Sequence, residues 1–226
     1  VKKFTDKQLS NVEPSYEISA WKKSALPLFF LGSIQVFGAQ ADILILGLLA
    51  DSEEVGIFKS MYQISLLVIF SLTAVNAIAS PYIVRYFEEK NNKKIKKLLF
   101  TFCGINILFA LVIALPFLLF GNFFINLIYG EQYVIGVTCL HILILGRIIN
   151  SIFGISNQFL KMMGEERKAT KGILLGTLVG VVLNIGLIPK YGIVGAAIAS
   201  SLGLITWNLY LFRILVKKIW FSKQWH

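Results

Sequence analysis

Long apolar runs, separated by short charged connections, dominate the chain. A transmembrane helix needs about 20 consecutive, mostly apolar residues to cross the hydrocarbon core of a bilayer. Six segments meet this requirement, and each predicts one helix. They cover about residues 24–50, 60–84, 98–120, 134–160, 172–189 and 191–213. The pattern therefore predicts an all-α, polytopic membrane protein whose six transmembrane helices form one bundle over residues 24–216.

The distribution of positive charge predicts how this bundle is oriented. Five Lys lie in residues 1–23, six Lys and Arg in 85–97, four in 161–171 and four in 213–223, so 19 of the 22 cationic residues fall on one side. Lys and Arg concentrate in the cytoplasmic loops of membrane proteins. We therefore expect residues 1–23 to be a cytoplasmic N-terminal segment and residues 217–226 a cytoplasmic tail.

The composition narrows the classes of function. Hydrophobic residues make up 56% of the chain and charged residues 15%, with a mean hydropathy of +0.73 and a net charge of +10. Such a chain is too apolar for a soluble enzyme or a nucleic-acid-binding domain. No P-loop, HExxH or GxSxG motif occurs, and Cys103 and Cys139 show no metal-ligand spacing. The sequence thus predicts no catalytic residue, metal or cofactor, and both cysteines are interpreted as small buried hydrophobes.

A polar stripe runs along the fourth predicted helix. It starts at Arg147, near the middle of that helix, and continues at spacings of 3, 4, 7, 10, 11 and 14 residues, which lie on one helix face. The members after Arg147 are Asn150, Ser151, Gly154, Asn157, Gln158 and Lys161. We predict that Arg147 and the five of these that carry a polar side chain bind substrate.

Two interpretations of the stripe are open. A charge at the centre of a bilayer usually faces a cavity or a partner. In the first interpretation the stripe lines a hydrophilic cavity for an anionic cargo, because a guanidinium matches phosphate oxygens bidentately. In the second, the side chains hydrogen bond to neighbouring helices and Arg147 forms a structural ion pair. Contacts between helices need only two or three such residues, so seven residues on one helix face favour the interpretation as a cavity lining.

Asp42 and Lys59 form a second candidate site. Asp42 is the one charge within the first predicted helix, and Lys59 begins the second helix from the same outer side. One hypothesis pairs the two charges, so that both can remain in the outer leaflet. The other makes Asp42 a protonation or cation site that couples transport to an ion gradient.

Small residues repeat every four positions in the last two predicted helices. One ridge consists of Gly172, Gly176 and Gly180, and the other of Gly195, Ala199 and Gly203. Ridges of this kind let two helices approach closely. We therefore expect both to be packing surfaces.

Several short motifs, in this order, resemble bacterial polysaccharide (O-antigen type) flippases of the MATE-like exporter superfamily, and specifically their C-terminal half. The resemblance extends from about residue 20 to 218, and its most specific block is LIPKYGIVGAAIA. The matching stretches are Trp21–Pro27, Ala41–Gly47, Glu54–Lys59, Asn76–Pro81, Leu145–Gly154, Met162–Arg167 and Asn184–Ser200.

The resemblance implies a transporter of twelve helices in two six-helix halves, of which this chain is the second, with residues 1–23 as the linker between them. It implies translocation of undecaprenyl-diphosphate-linked oligosaccharides across the bacterial cytoplasmic membrane, with both ends of the chain cytoplasmic. The expected partners are this substrate, membrane lipids, an N-terminal six-helix half and polysaccharide polymerase machinery, but no nucleic acid. The alternatives are a MATE-like drug or cation antiporter and a polytopic membrane glycosyl- or acyltransferase.

Overall fold

The computed structural model describes residues 40–221, and all of its regular structure is helical. The part of the first predicted helix before residue 40, the N-terminal segment 1–23 and the last five residues of the tail lie outside the described residues. The helices are α1 (Gln40–Leu49), α2 (Ser52–Leu67), α3 (Phe70–Glu88), α4 (Asn92–Tyr129), a 3-10 helix (Glu131–Gly136), α5 (Val137–Phe153), α6 (Ile155–Met162) and α7 (Glu166–Phe221).

Three helical stretches of the described part are long and apolar enough to cross a membrane. They are α4, the combined stretch Glu131–Met162, which contains α5 and α6, and α7. A fourth results if α2 and α3, which are bent by 42° at their junction, form a single span. The predicted count of six stays a prediction, because α7 contains two of the predicted segments and the first begins before residue 40.

Helix α7 reverses its direction at Gly192 and consists of two antiparallel arms. Gly192 has φ 52° and ψ −132°, a left-handed backbone conformation that glycine adopts without a Cβ penalty. The arms pack through the two predicted ridges: a Cβ atom on Gly176 would lie 2.6 Å from the carbonyl oxygen of Gly203 and 2.5 Å from the Cβ of Trp207. The small residues therefore serve as the packing surface that their spacing predicts.

Replacing Gly176 by alanine is expected to destabilise the protein, because the added methyl group must push the arms apart. Overpacking of this kind costs about 1–3 kcal/mol, more than the roughly 1 kcal/mol that alanine gains over glycine within a helix. Gly186 on the same arm is the matched control, since its Cβ would meet nothing within 4 Å. Thermal unfolding in detergent should show a lower midpoint for Gly176→Ala and an equal or higher one for Gly186→Ala. Equal midpoints for the two variants would contradict the close contact.

The buried apolar residues form two separate clusters, one at each end of the bundle. The first contains Phe58, Met61 and Ile144, and the second contains Leu99, Phe159 and further buried residues of α3 and α7. Helices α2 and α5 contribute to the first cluster, and α3 and α6, which follow them in the chain, contribute to the second. The junctions between these helices therefore lie at the boundary between the clusters.

Most of the buried polar side chains lie along the helices between the residues of the two clusters, and we call this set the polar layer. It comprises Ser65, Ser71, Asn106, Arg147, Asn150, Ser151, Asn184, Ser201 and Asn208. Each of these residues is at most 8% exposed. Since the enclosed polar groups come from α2 to α5 and from both arms of α7, this layer is where a polar site inside the bundle would be built.

Two ion pairs of Glu165, in the connection between α6 and α7, hold that connection against the end of α7. The Glu165 carboxylate accepts hydrogen bonds from Lys218 Nζ at 2.7 Å and from Lys168 Nζ at 2.9 Å. The Lys218 ammonium also donates to the carbonyl of Met163 at 3.3 Å. The hydrogen bond from Lys218, followed by that from Lys168, holds the pKa of Glu165 below its usual value of 4.5.

We expect Glu165→Gln to lower the stability of the protein by about 1–2 kcal/mol near neutral pH, because a hydrogen bond between charged groups is lost. A lowered folded-state pKa means that the contribution is fully present above the unfolded pKa and disappears as the pH falls through the folded value. Unfolding midpoints from pH 7 to pH 3 should therefore differ between the two proteins at pH 7 and converge in acid. Glu89→Gln removes exposed ion pairs with Arg85 and Lys94 instead and should have little effect. A constant gap at all pH values would contradict the assignment.

Candidate functional site

Arg147 is the central residue of the polar layer. Helix α5 places its side chain against α2, where Nε donates a long hydrogen bond of 3.4 Å to the hydroxyl of Ser65. The guanidinium carbon lies 4.9 Å from the centre of the Tyr62 ring. Ser65 donates its own proton to the Tyr62 carbonyl at 2.6 Å, so its lone pairs face the arginine. Only 8% of Arg147 is exposed, and its charge is therefore held in largely desolvated surroundings.

Asn150 and Ser151, one turn further along α5, lie in the same layer. The Asn150 side-chain oxygen accepts a hydrogen bond of 2.9 Å from Nδ2 of Asn208 on the second arm of α7. The Ser151 hydroxyl donates to the Arg147 carbonyl of its own helix at 3.0 Å. The Asn150 oxygen and the Ser151 hydroxyl thus each have a partner within the protein.

The stripe is interrupted at Gly154, where α5 ends and α6 begins. A Cβ atom there would lie 2.5 Å from the backbone carbonyl of Asn150 and 2.8 Å from a methyl group of Leu72, so the backbone at the end of α5 leaves no room for a side chain at this position. Beyond the junction, Gln158 Nε2 donates to Ser80 Oγ on α3 at 2.7 Å. The side-chain oxygen of Asn157 is buried and has no hydrogen-bond partner among the described residues.

Lys161 lies at the end of α6 and is exposed. The structure therefore brings Arg147, Asn150 and Ser151 together in the polar layer, places Asn157 and Gln158 beyond the Gly154 junction and leaves Lys161 at the surface. Asn150 and Gln158 form contacts of the kind that the helix-packing interpretation predicts. Arg147 forms no ion pair within 4 Å in the described part of the chain, which differs from the ion pair in that interpretation.

The predicted pair between Asp42 and Lys59 is not formed. Lys59 is exposed and has no ion pair among residues 40–221, whereas Asp42 accepts a hydrogen bond from Nδ2 of Asn184 on the first arm of α7. Ser200 and Arg147 also lie within interaction range of the Asp42 carboxylate. The reason is geometric: α1 turns Asp42 toward the bundle interior, and Lys59 points out of it.

Several residues of this site were not predicted from the sequence. They are Tyr62, Ser65, Asn184, Ser200 and Asn208, together with Asn106, whose amide is fully buried without a partner among the described residues. Asn106, Asn184 and Asn208 all lie within apolar segments, where a polar side chain is costly. That cost is the signal that could have identified them. Within residues 40–221, no group of three or more His, Cys, Asp or Glu could hold a metal ion.

The architecture and the site together define a multi-pass, all-helical membrane protein with a buried polar layer. The MatE family profile matches residues 27–185, well over half of the chain, and the chain belongs to the MatE family.

Three similar proteins come from archaea. The chain is 21% identical over 166 residues to the "Probable low-salt glycan biosynthesis flippase Agl15" of Haloferax volcanii, covering 74% of this chain and 35% of that protein. It is 26% identical over 186 residues to the "Probable flippase AglR" of the same organism, covering 79% and 38%. A third relative is the "Uncharacterized membrane protein MJ1068" of Methanocaldococcus jannaschii, 28% identical over 125 residues, covering 52% and 25%. The chain thus spans between a quarter and two fifths of the length of these relatives.

A solved structure shares the fold. It is described as the outward-facing conformation of a multidrug resistance MATE family transporter of the MOP superfamily. The two chains superpose with a TM-score of 0.72 at 18% identity, covering 87% of this chain and 43% of the other. The fold of this chain is accordingly that of part of a MATE transporter.

Proposed function

We propose that this chain is the C-terminal six-helix half of a flippase that moves an undecaprenyl-diphosphate-linked oligosaccharide across the bacterial cytoplasmic membrane for surface polysaccharide synthesis. Membership of the MatE family and the two relatives named as flippases support a transporter of this kind. The observation that carries the proposal is the buried guanidinium of Arg147, a cation enclosed between α2 and α5. An enclosed cation is suited to the phosphate groups of a lipid carrier.

In the proposed mechanism this bundle rocks against a second six-helix bundle and exposes the site alternately to each side of the membrane. Arg147 binds the diphosphate, and Asn150, Ser151, Asn157 and Gln158 hydrogen bond to sugar hydroxyls. Asn150 and Gln158 must exchange their present partners, Asn208 and Ser80, for the substrate. The exposed Lys161 recruits the anionic head group from the cytoplasmic side.

Asp42 is the proposed site of ion coupling. Its carboxylate accepts a hydrogen bond from Asn184 Nδ2 and also interacts with the hydroxyl of Ser200. A carboxylate within the bundle, with a hydroxyl beside it, can bind a hard monovalent or divalent cation. A proton on the carboxylate is the other occupant that this chemistry allows.

A drug or cation antiporter is the second candidate function, and the partly buried carboxylate of Asp42 favours it. The solved MATE transporter with the same fold is described as a multidrug resistance protein. To bind an organic cation, the acidic site would need to be free of a positively charged side chain nearby. Arg147 lies within interaction range of Asp42 and disfavours that binding.

The test is reconstitution of the full-length protein into liposomes. The translocation of a fluorescent, short-chain polyprenyl-diphosphate-linked oligosaccharide is measured with a membrane-impermeant quencher, and the uptake of an organic cation is measured in parallel. The proposal expects protein-dependent translocation of the diphosphate-linked lipid without cation uptake. Cation transport without lipid translocation would replace it with the antiporter.

A further inference from the structure

The Arg147 side chain is held by α2 in a defined orientation. Its Nε is engaged by Ser65, and one face of its guanidinium is covered by the ring of Tyr62. The two terminal nitrogens, Nη1 and Nη2, form no hydrogen bond with the described residues. The guanidinium is thus held at its Nε edge and against the Tyr62 ring, while its two terminal nitrogens have no hydrogen-bond partner among the described residues.

We propose that Tyr62 is the positioning residue of the anion site: its ring holds the Arg147 guanidinium so that Nη1 and Nη2 point at the substrate. This inference rests on the proposed function, in which Arg147 binds the diphosphate. Two parallel N–H groups can bind two oxygens of one phosphate group at once. A carboxylate of the substrate could also approach this end, but the diphosphate offers several oxygen pairs and a higher negative charge.

The physical benefit of the ring is preorganisation. A free arginine side chain samples many rotamers, and ordering it upon binding weakens the affinity. Without the ring, Arg147 could also turn toward the Asp42 carboxylate, which lies within its interaction range. A tyrosine ring is attractive to a cation through its negative face and offers the substrate no competing anion. Ser65 supports the same orientation from the Nε edge.

The test varies the charge distribution of the ring face in a series of phenylalanines of nearly constant shape, and a leucine variant removes the ring. The full-length protein is produced with Phe, a series of increasingly fluorinated phenylalanines, or Leu at position 62. The dissociation constant for farnesyl diphosphate, a sugar-free probe, is measured by calorimetry in detergent. We expect Tyr62→Phe to bind within about twofold of the parent protein. Affinity should fall with each added fluorine, and should be about three- to tenfold weaker with pentafluorophenylalanine or Leu.

Two control variants separate the possible failures. Tyr129 packs on the same apolar cluster and stacks with Tyr133, so Tyr129→Leu should leave the affinity unchanged. Arg147→Ala should abolish binding of the probe. Equal affinity across the fluorinated series, with binding still lost in Arg147→Ala, would overturn the role of Tyr62 alone. Undiminished binding in Arg147→Ala would overturn the proposed anion site itself, and with it the role of Tyr62.

Discussion

Replacing Arg147 by alanine is expected to abolish translocation of the diphosphate-linked substrate while the protein still reaches the membrane. The substitution removes both terminal N–H groups that would bind the phosphate oxygens. Hydrogen bonds to charged groups are each worth about 1.5–3 kcal/mol, so losing two should weaken binding by about a hundredfold or more. The measurement is the initial rate of lipid translocation in liposomes, together with the amount of protein in the membrane.

A conservative variant and a matched control test whether the guanidinium at this position is responsible for the loss. Arg147→Lys keeps the positive charge but lacks the planar fork, so it should retain only a small part of the activity. Arg213 lies on the exposed surface of α7, and Arg213→Ala should leave the rate unchanged. Parental rates in Arg147→Ala, at equal protein levels, would refute the anion site.

Replacing Asp42 by asparagine should uncouple transport from the ion gradient. The asparagine keeps the size of the side chain and an oxygen that can accept the hydrogen bond from Asn184, but it cannot bind a proton and has no negative charge to attract a cation. We expect an imposed Na⁺ or pH gradient to accelerate translocation by the parent protein and to leave the rate of Asp42→Asn unchanged. The two gradients are applied separately to liposomes, so the experiment also identifies the coupling ion.

Asp51 supplies the control for this prediction. It is an exposed carboxylate in the connection between α1 and α2, close to Asp42 in sequence. Asp51→Asn should respond to the gradient as the parent protein does. A gradient response that survives in Asp42→Asn would eliminate Asp42 as the coupling site.

The apolar pattern of the sequence predicted that the described part of the chain consists of long apolar helices, and its turn signals predicted the reversal within α7. Hydrophobic runs long enough to cross a membrane have no other stable backbone conformation than a helix, apart from a closed barrel. The turn signals from Pro189 to Gly192 coincide with the observed change of direction at Gly192. The junction between α2 and α3 was not predictable in this way. It consists of Val68 and Ile69, and neither glycine nor proline marks a break there.

The candidate site was predictable only where its residues share one helix. Helical periodicity placed Arg147, Asn150 and Ser151 on a common face, and all three are buried together in the polar layer. Periodicity carries no information about the residues opposite that face. The partner of Asp42 is Asn184, 142 residues away in sequence, and not Lys59, the nearest cation along the chain. Such pairings depend on how whole helices pack.

The reversal of α7 also has a consequence for insertion of the protein into the membrane during synthesis. Its two arms leave the ribosome one after the other and touch through Gly176 and Gly203, so they can pair as soon as both have emerged. Each arm satisfies its own backbone hydrogen bonds, and the pair carries its closest contacts with it into the bilayer. The C-terminal quarter of the chain can thus enter the membrane as one preassembled hairpin, which then docks on helices already in place.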